Sequence, residues 1–131
     1  MSSMPPRAIA DLVADPKYAG PIDGAALVGE AAGGNRLLVR VGLWLDARGR
    51  VSRARYRATT CASLIGYAEA ACALAEVGGP PQAIGAERVR AAVAGVHRLH
   101  HDRADLVALA LSRALERRLP SPLDDAAGAS T

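Results

Sequence analysis

Residues 37–59 carry the clearest hydrophobic pattern in the chain, and its period is two. Leu37, Val39, Val41, Leu43 and Leu45 fall on one side of an extended backbone, with Leu38, Arg40, Gly42 and Trp44 on the other. Asp46-Ala47-Arg48-Gly49 then supplies a four-residue turn ending on glycine, where a left-handed backbone costs least. In the returning run, residues 51–59, Arg53, Arg55 and Arg57 alternate with Ala54, Tyr56 and Ala58. Together the two runs predict an antiparallel hairpin with one dry face and one wet face.

Beyond Thr59-Thr60-Cys61 the period becomes 3.6. Leu64, Ile65, Ala68, Ala71, Cys72 and Ala75 make one apolar stripe of a helix that ends at Gly78-Gly79-Pro80-Pro81. Residues 86–96 predict a second, shorter helix with an alanine and valine face. Asp102, with Asp105 three residues later, is placed as the N-cap of a last helix running through Leu106, Leu109, Ala110, Ala114 and Leu115 to Pro120. Upstream, Ile9, Leu12 and Val13 predict a helix over residues 7–14, started behind Pro5 and Pro6 and stopped at Asp15-Pro16. Residues 18–35 hold Gly20, Pro21, Gly24, Gly29, Gly33 and Gly34 without a sustained period, and read as an extended, turn-rich approach to the sheet. The order helix, strands, run of helices predicts an α+β domain whose short antiparallel sheet is covered by helices on one face. One domain over residues 1–120 and a flexible tail over 121–131 is the expected organisation.

Composition narrows the class. Half of the 131 residues are apolar and 22% are charged, with a net charge of only +3, which suits a folded domain rather than a disordered chain. The longest apolar stretches fall short of the roughly 18–20 residues of a membrane span. Residues 1–7 lack an apolar signal core, so a soluble, cytoplasmic protein is expected. Two cysteines exclude a disulfide framework. Phe is absent, so the core must be built from Leu, Val, Ile and Ala. Of the sixteen basic residues only Lys17 is a lysine, and a coding bias accounts for the arginine and alanine richness together.

Among residues able to do chemistry, Cys61 is the most informative. It stands where a strand gives way to a helix, so free amides and the positive end of the helix dipole would lie near its sulfur; both favour thiolate, the form that attacks sulfur or binds soft metals. The ordinary alternative is a packed, inert cysteine. Cys72, eleven residues on in the same helix, is roughly 16 Å away and beyond disulfide reach, and its place on the apolar stripe assigns it to the core. His97, His100 and His101 have the spacing to share a helix face and bind a borderline metal, zinc most easily; the ordinary alternative is an exposed, histidine-bearing helix junction. Arg53, Arg55 and Arg57, with Arg40 beside them, form a basic stripe suited to an acidic partner protein or to plain solvation; nucleic acid is disfavoured because no aromatic side chains interleave.

The order of these features resembles the U-type (NifU/IscU-like) iron–sulfur cluster assembly scaffold family. Asp15-Pro16-Lys17-Tyr18-Ala19-Gly20 is similar to the family's opening Asn-Pro…Gly segment, and Gly33-Gly34-Asn35 stands before the first long strand where the family has Cys-Gly-Asp. Ala54-Arg55-Tyr56 and Thr60-Cys61-Ala62-Ser63 resemble its Ala-x-Phe and Gly-Cys-x-Ser passage, and Arg103-Ala104-Asp105-Leu106 falls at its last cysteine. The likeness spans roughly residues 7–118. It implies a scaffold or carrier rather than a turnover enzyme, with a 2Fe–2S cluster or iron as cargo, zinc as the alternative, a cysteine desulfurase as sulfur donor, acceptor apoproteins as clients, and room for a homodimer. Of the family's three cluster cysteines only Cys61 has a counterpart; Gly33 or Asn35 takes the first place and Leu106 the last. The candidate ligands carried over are therefore Cys61, Asp105, His101 and Asn35. One thiolate cannot close a shell of about four protein ligands, so the expected function is iron or cluster binding, or persulfide carriage, through one thiol. A ligand-depleted adaptor of the assembly machinery and a small zinc-binding domain are the rivals.

Overall fold

The structure, a computed structural model, describes residues 5–77 and 81–117. The helix end expected at residues 78–81 falls largely outside them, as does the tail over 121–131. The fold is α+β. Its elements run β1 (Arg7–Ala8), α1 (Ile9–Ala14), β2 (Leu27–Ala32), β3 (Leu38–Leu45), β4 (Val51–Ala58), α2 (Ala62–Val77), α3 (Ala86–Ala91), β5 (Val93–Ala94) and α4 (Asp102–Glu116). Strands β2, β3 and β4 form an antiparallel sheet in that spatial order, with α2 and α4 packed on one face.

The predicted hairpin is β3 and β4. Its turn is held by Asp46, whose Oδ1 accepts the amides of Arg48 and Arg50 at 2.9 Å each, while Gly49 takes the left-handed conformation at φ 79°. Val39, Val41, Leu43, Ala54 and Tyr56 are all buried beneath the helices, and Arg40, Arg53 and Arg57 are exposed on the far side. The alternation thus set both register and sidedness.

Residues 18–35, expected as an extended, turn-rich approach to the sheet, go further and join it. They contain β2, which pairs with β3 from Leu27 opposite Leu43 to Ala32 opposite Leu38. Its inward positions are Leu27, Gly29 and Ala31, and two such small residues carry almost no hydrophobic signal. They are small because α4 lies directly on them. A Cβ at Gly29 would overlap the Ala110 carbonyl oxygen and the Ala114 amide nitrogen, both backbone atoms. The β2–β3 connection is a tight turn in which Leu37 N–H donates to Gly34 O, with Asn35 and Arg36 both at φ 59°. That geometry matches the right-handed twist of the strands and tolerates asparagine well.

Three helix boundaries also differ. The first helix begins at Ile9, because Arg7 and Ala8 pair in parallel with Val93 and Ala94. The second stops at Ala91, because Val93 and Ala94 are that pairing partner and Gly95 turns the chain at φ 90°. Asp102 is the first residue of α4 rather than its cap; His101 holds the cap position without a side-chain capping bond, and Asp105 bonds to Arg90 instead. Helix α2 is buried around most of its circumference, not along one stripe. Within it the Glu69 carboxylate is 2% exposed and accepts three hydrogen bonds: from Lys17 N at 2.8 Å, Tyr18 N at 2.9 Å and the Tyr56 hydroxyl at 2.9 Å. This ties the N-terminal loop and β4 to the central helix.

Candidate functional site

Cys61 stands three residues after β4 and directly before α2. Its carbonyl accepts the first helical bond, from Ile65 N at 2.9 Å, so the thiol occupies the cap position of a 16-residue helix. The N-terminus of such a helix concentrates unpaired amides and roughly half a positive charge. Cys61 is half-buried and carries no disulfide, and Cys72 is buried in the core. Burial, with Glu69 and Glu76 adding to it, pushes the Cys72 thiol well above its ordinary range. The two cysteines therefore differ in burial, and Cys72 lies in the core where the apolar stripe put it.

The charge near Cys61 comes from a residue that sequence reasoning passed over. Arg103, in the first turn of α4, is near enough to Cys61 for the thiol to add to the hold on its proton. One end donates from Nη1 to Asp102 Oδ1 at 2.7 Å and to Leu99 O at 3.4 Å. Its Nε is fully buried and is the one buried side-chain polar atom without a partner among the described residues. The guanidinium is held above the usual arginine value, first by the bond to Asp102 and further by Cys61, with desolvation opposing. Asp102 is correspondingly held below the usual carboxylate range, chiefly by that same bond. A small cavity of about 90 Å³ adjoins this group, lined by Gly33, Gly34, Asn35, Leu37, Asp102, Arg103 and Leu106. Arg103 was legible in one respect: it precedes Leu106 by three residues, one helical turn, and so shares its face.

The remaining candidate ligands do not converge on Cys61. Asn35 borders the cavity, but its left-handed backbone is accounted for by the β2–β3 turn. Asp105 points to α3, where it pairs with Arg90 at 3.1 Å; Leu106, about 100° further round the helix, is the residue that lines the cavity. The three histidines sit around a short 3₁₀ turn, Arg98–His100, rather than on one helix face, and each is engaged separately. His97 Nδ1 accepts from Leu99 N at 3.1 Å, His101 Nε2 lies 3.2 Å from Val96 O, and His100 Nδ1 lies 2.9 Å from the buried Ser63 hydroxyl. Among the described residues no group of three or more His, Cys, Asp or Glu side chains is placed to hold a metal ion. As arranged, the donor set of Cys61, Asp105, His101 and Asn35 does not fit an iron, zinc or cluster shell.

The arginine stripe is real but partly neutralised. Arg40 pairs with Glu30 on β2, and Arg55 with Glu76 on α2 at 2.8 Å. Arg53 stacks 5.1 Å over the Trp44 ring. Arg57 borders an open cleft of about 390 Å³ between β4, Ile65 and the Pro16–Gly20 loop.

No helix among the described residues is long and apolar enough to cross a membrane. Set against known proteins, the sequence matches no family model, and no curated protein matches it.

Proposed function

We propose that this chain is a divergent relative of the U-type scaffolds that carries sulfur on Cys61 instead of closing a cluster shell. The observation that supports this reading is a half-exposed thiol at a helix N-terminus with the Arg103 guanidinium in its neighbourhood, and with Asp105 and His101 bonded elsewhere. Such surroundings favour a nucleophilic sulfur, and they also suit the anion that forms when it acquires a second sulfur. The step is a sulfur transfer. The Cys61 thiolate attacks the terminal sulfur of a donor persulfide, a new S–S bond forms, the donor's S–S bond breaks, and the donor leaves as a thiolate that takes a proton from water. No electron acceptor is needed. On this reading the donor is a cysteine desulfurase and the clients are acceptor apoproteins.

The test is mass spectrometry of the purified protein after exposure to a cysteine desulfurase with cysteine. One sulfur should be gained on Cys61 and none in Cys61→Ser. Anaerobic iron and sulfide should leave the protein colourless. A stoichiometric visible absorption that Cys61→Ser abolishes would replace the carrier with a cluster scaffold, and absence of both signals would leave an adaptor.

A further inference from the structure

A sheet presents hydrogen-bonding groups along both outer edges, and folded proteins usually close or guard them. The two edges of this sheet differ. In β4 the outward groups belong to Ala54, Tyr56 and Ala58, because Thr59 N–H donates inward to Leu38 O and the direction alternates from there. Most of that edge is closed. Ala54 N–H donates to the Glu76 carboxylate and Ala54 O accepts from Arg55 Nη1, while Tyr56 N–H donates to Tyr18 O and Tyr56 O accepts from Gly20 N–H. In β2 the outward groups belong to Val28, Glu30 and Ala32, because Gly33 N–H donates inward to Leu37 O. Among the described residues only Glu30 O has a partner there, Arg113 Nη1 at 2.8 Å. Helix α4, packed chiefly over β2, overhangs this open edge. Arg113 reaches down to it, and Leu109, one turn earlier on the same face, is 41% exposed. Arg113 makes no ion pair among the described residues.

We infer that the β2 edge and the overhanging face of α4 form a docking groove for an extended, acidic segment of a partner protein, which adds to the sheet as a strand and sets a carboxylate on Arg113. The incoming backbone bonds Val28, Glu30 and Ala32. Its own N–H takes the place of Arg113 at Glu30 O, and the guanidinium so released pairs with the carboxylate. Backbone bonds supply affinity and the side chains supply the choice of sequence. The spacing fits: Leu109 and Arg113 are about 6 Å apart along the helix, and alternate side chains of a strand are about 6.6 Å apart. An aliphatic and an acidic residue two positions apart therefore meet Leu109 and Arg113 together. A second copy of this chain does not fit. Pairing β2 with β2 sets the strands about 4.8 Å apart, whereas the two α4 helices lying over them need about 8–10 Å. The groove excludes Cys61, so the inference does not rest on the carrier reading.

The probe is a fluorescent peptide with threonine on one face of the strand and valine, leucine and aspartate alternating on the other, titrated against the full chain and read by anisotropy. In the free protein the Val28, Glu30 and Ala32 amides should exchange with solvent faster than those of Gly29 and Ala31, which face β3, and peptide should protect them. Arg113→Glu should weaken binding about tenfold, and a peptide with lysine in place of aspartate should recover it. Ala32→Pro removes one outward N–H and no ladder bond; it should weaken binding about tenfold at an unchanged melting temperature. The inference is overturned if no binding is seen up to about 1 mM peptide, if aspartate and lysine peptides bind the wild type alike, or if the protected amides lie elsewhere. A dimer in sedimentation that Ala32→Pro dissolves would put a second copy on the edge and overturn it too.

Discussion

The seat of α4 on β2 can be tested with one methyl group. In Gly29→Ala the new Cβ would overlap Ala110 O and Ala114 N and lie 3.0 Å from Ala114 Cα. Carbon over a carbonyl oxygen rests at about 3.3–3.6 Å, and helix backbone cannot rotate out of the way as a side chain would. Helix α4 must therefore retreat as a body, by roughly 1 Å. It buries Ala104, Val107, Ala110, Leu111, Ala114 and Leu115 against the core, and a gap of about 1 Å forfeits a quarter to a half of each dispersion contact on that face. Overpacking of this kind costs about 1–3 kcal/mol when side chains can adjust; with backbone on both sides, about 3 kcal/mol or more is expected. At roughly 2–8 °C per kcal/mol, the melting temperature should fall by about 10–20 °C in a circular dichroism melt. Gly34→Ala is the matched control, because nothing lies within 4 Å of its Cβ and its φ is not left-handed. It should stay within about 0.5 kcal/mol of wild type. If Gly29→Ala melts within about 2 °C of wild type, α4 does not sit on β2 as described.

Two further predictions concern buried groups in α2. The folded chain holds the Cys72 proton to higher pH than the unfolded chain, whose thiol titrates near about 8.5. Stability is thus full below that pH and falls above it by about 1.4 kcal/mol per pH unit. Urea unfolding between pH 8.5 and 9.5 should show this decline in wild type and lose it in Cys72→Ala; an equally steep decline in the variant refutes the assignment. In Glu69→Gln one carboxylate oxygen becomes an amide NH₂, which must face either Lys17 N–H or the Tyr18 and Tyr56 donors. That donor-to-donor contact should cost about 1–3 kcal/mol in urea unfolding, and unchanged stability would mean that the loop is not held by this carboxylate.

Where the resemblance would place the last cysteine, Leu106 closes an apolar wall, and one turn before it Arg103 supplies a fixed positive charge. On the proposed carrier reading, a positive charge near the thiol suits a single sulfur anion better than a metal ion, which that charge would repel.

Much of the fold was legible because burial on one sheet face imposes a period of two, as it does from Leu37 to Ala58. The strand-to-helix position of Cys61 and the core position of Cys72 followed from the same change of period. What the linear pattern could not disclose depends on neighbours distant in the chain. Strand β2 was hidden because close approach of α4 demands Gly29 and Ala31 where a hydrophobic signal would otherwise be. Residues 93–94 became a strand only because Arg7 and Ala8 arrived beside them. The histidines were scattered, and Asp105 was turned to Arg90, by the angle at which each residue leaves its own turn or helix. Arg103 comes near Cys61, 42 positions earlier in the chain, because α4 packs against α2. Periodicity is a local consequence of burial and can be read locally, whereas which charge meets which sulfur is decided by packing between elements.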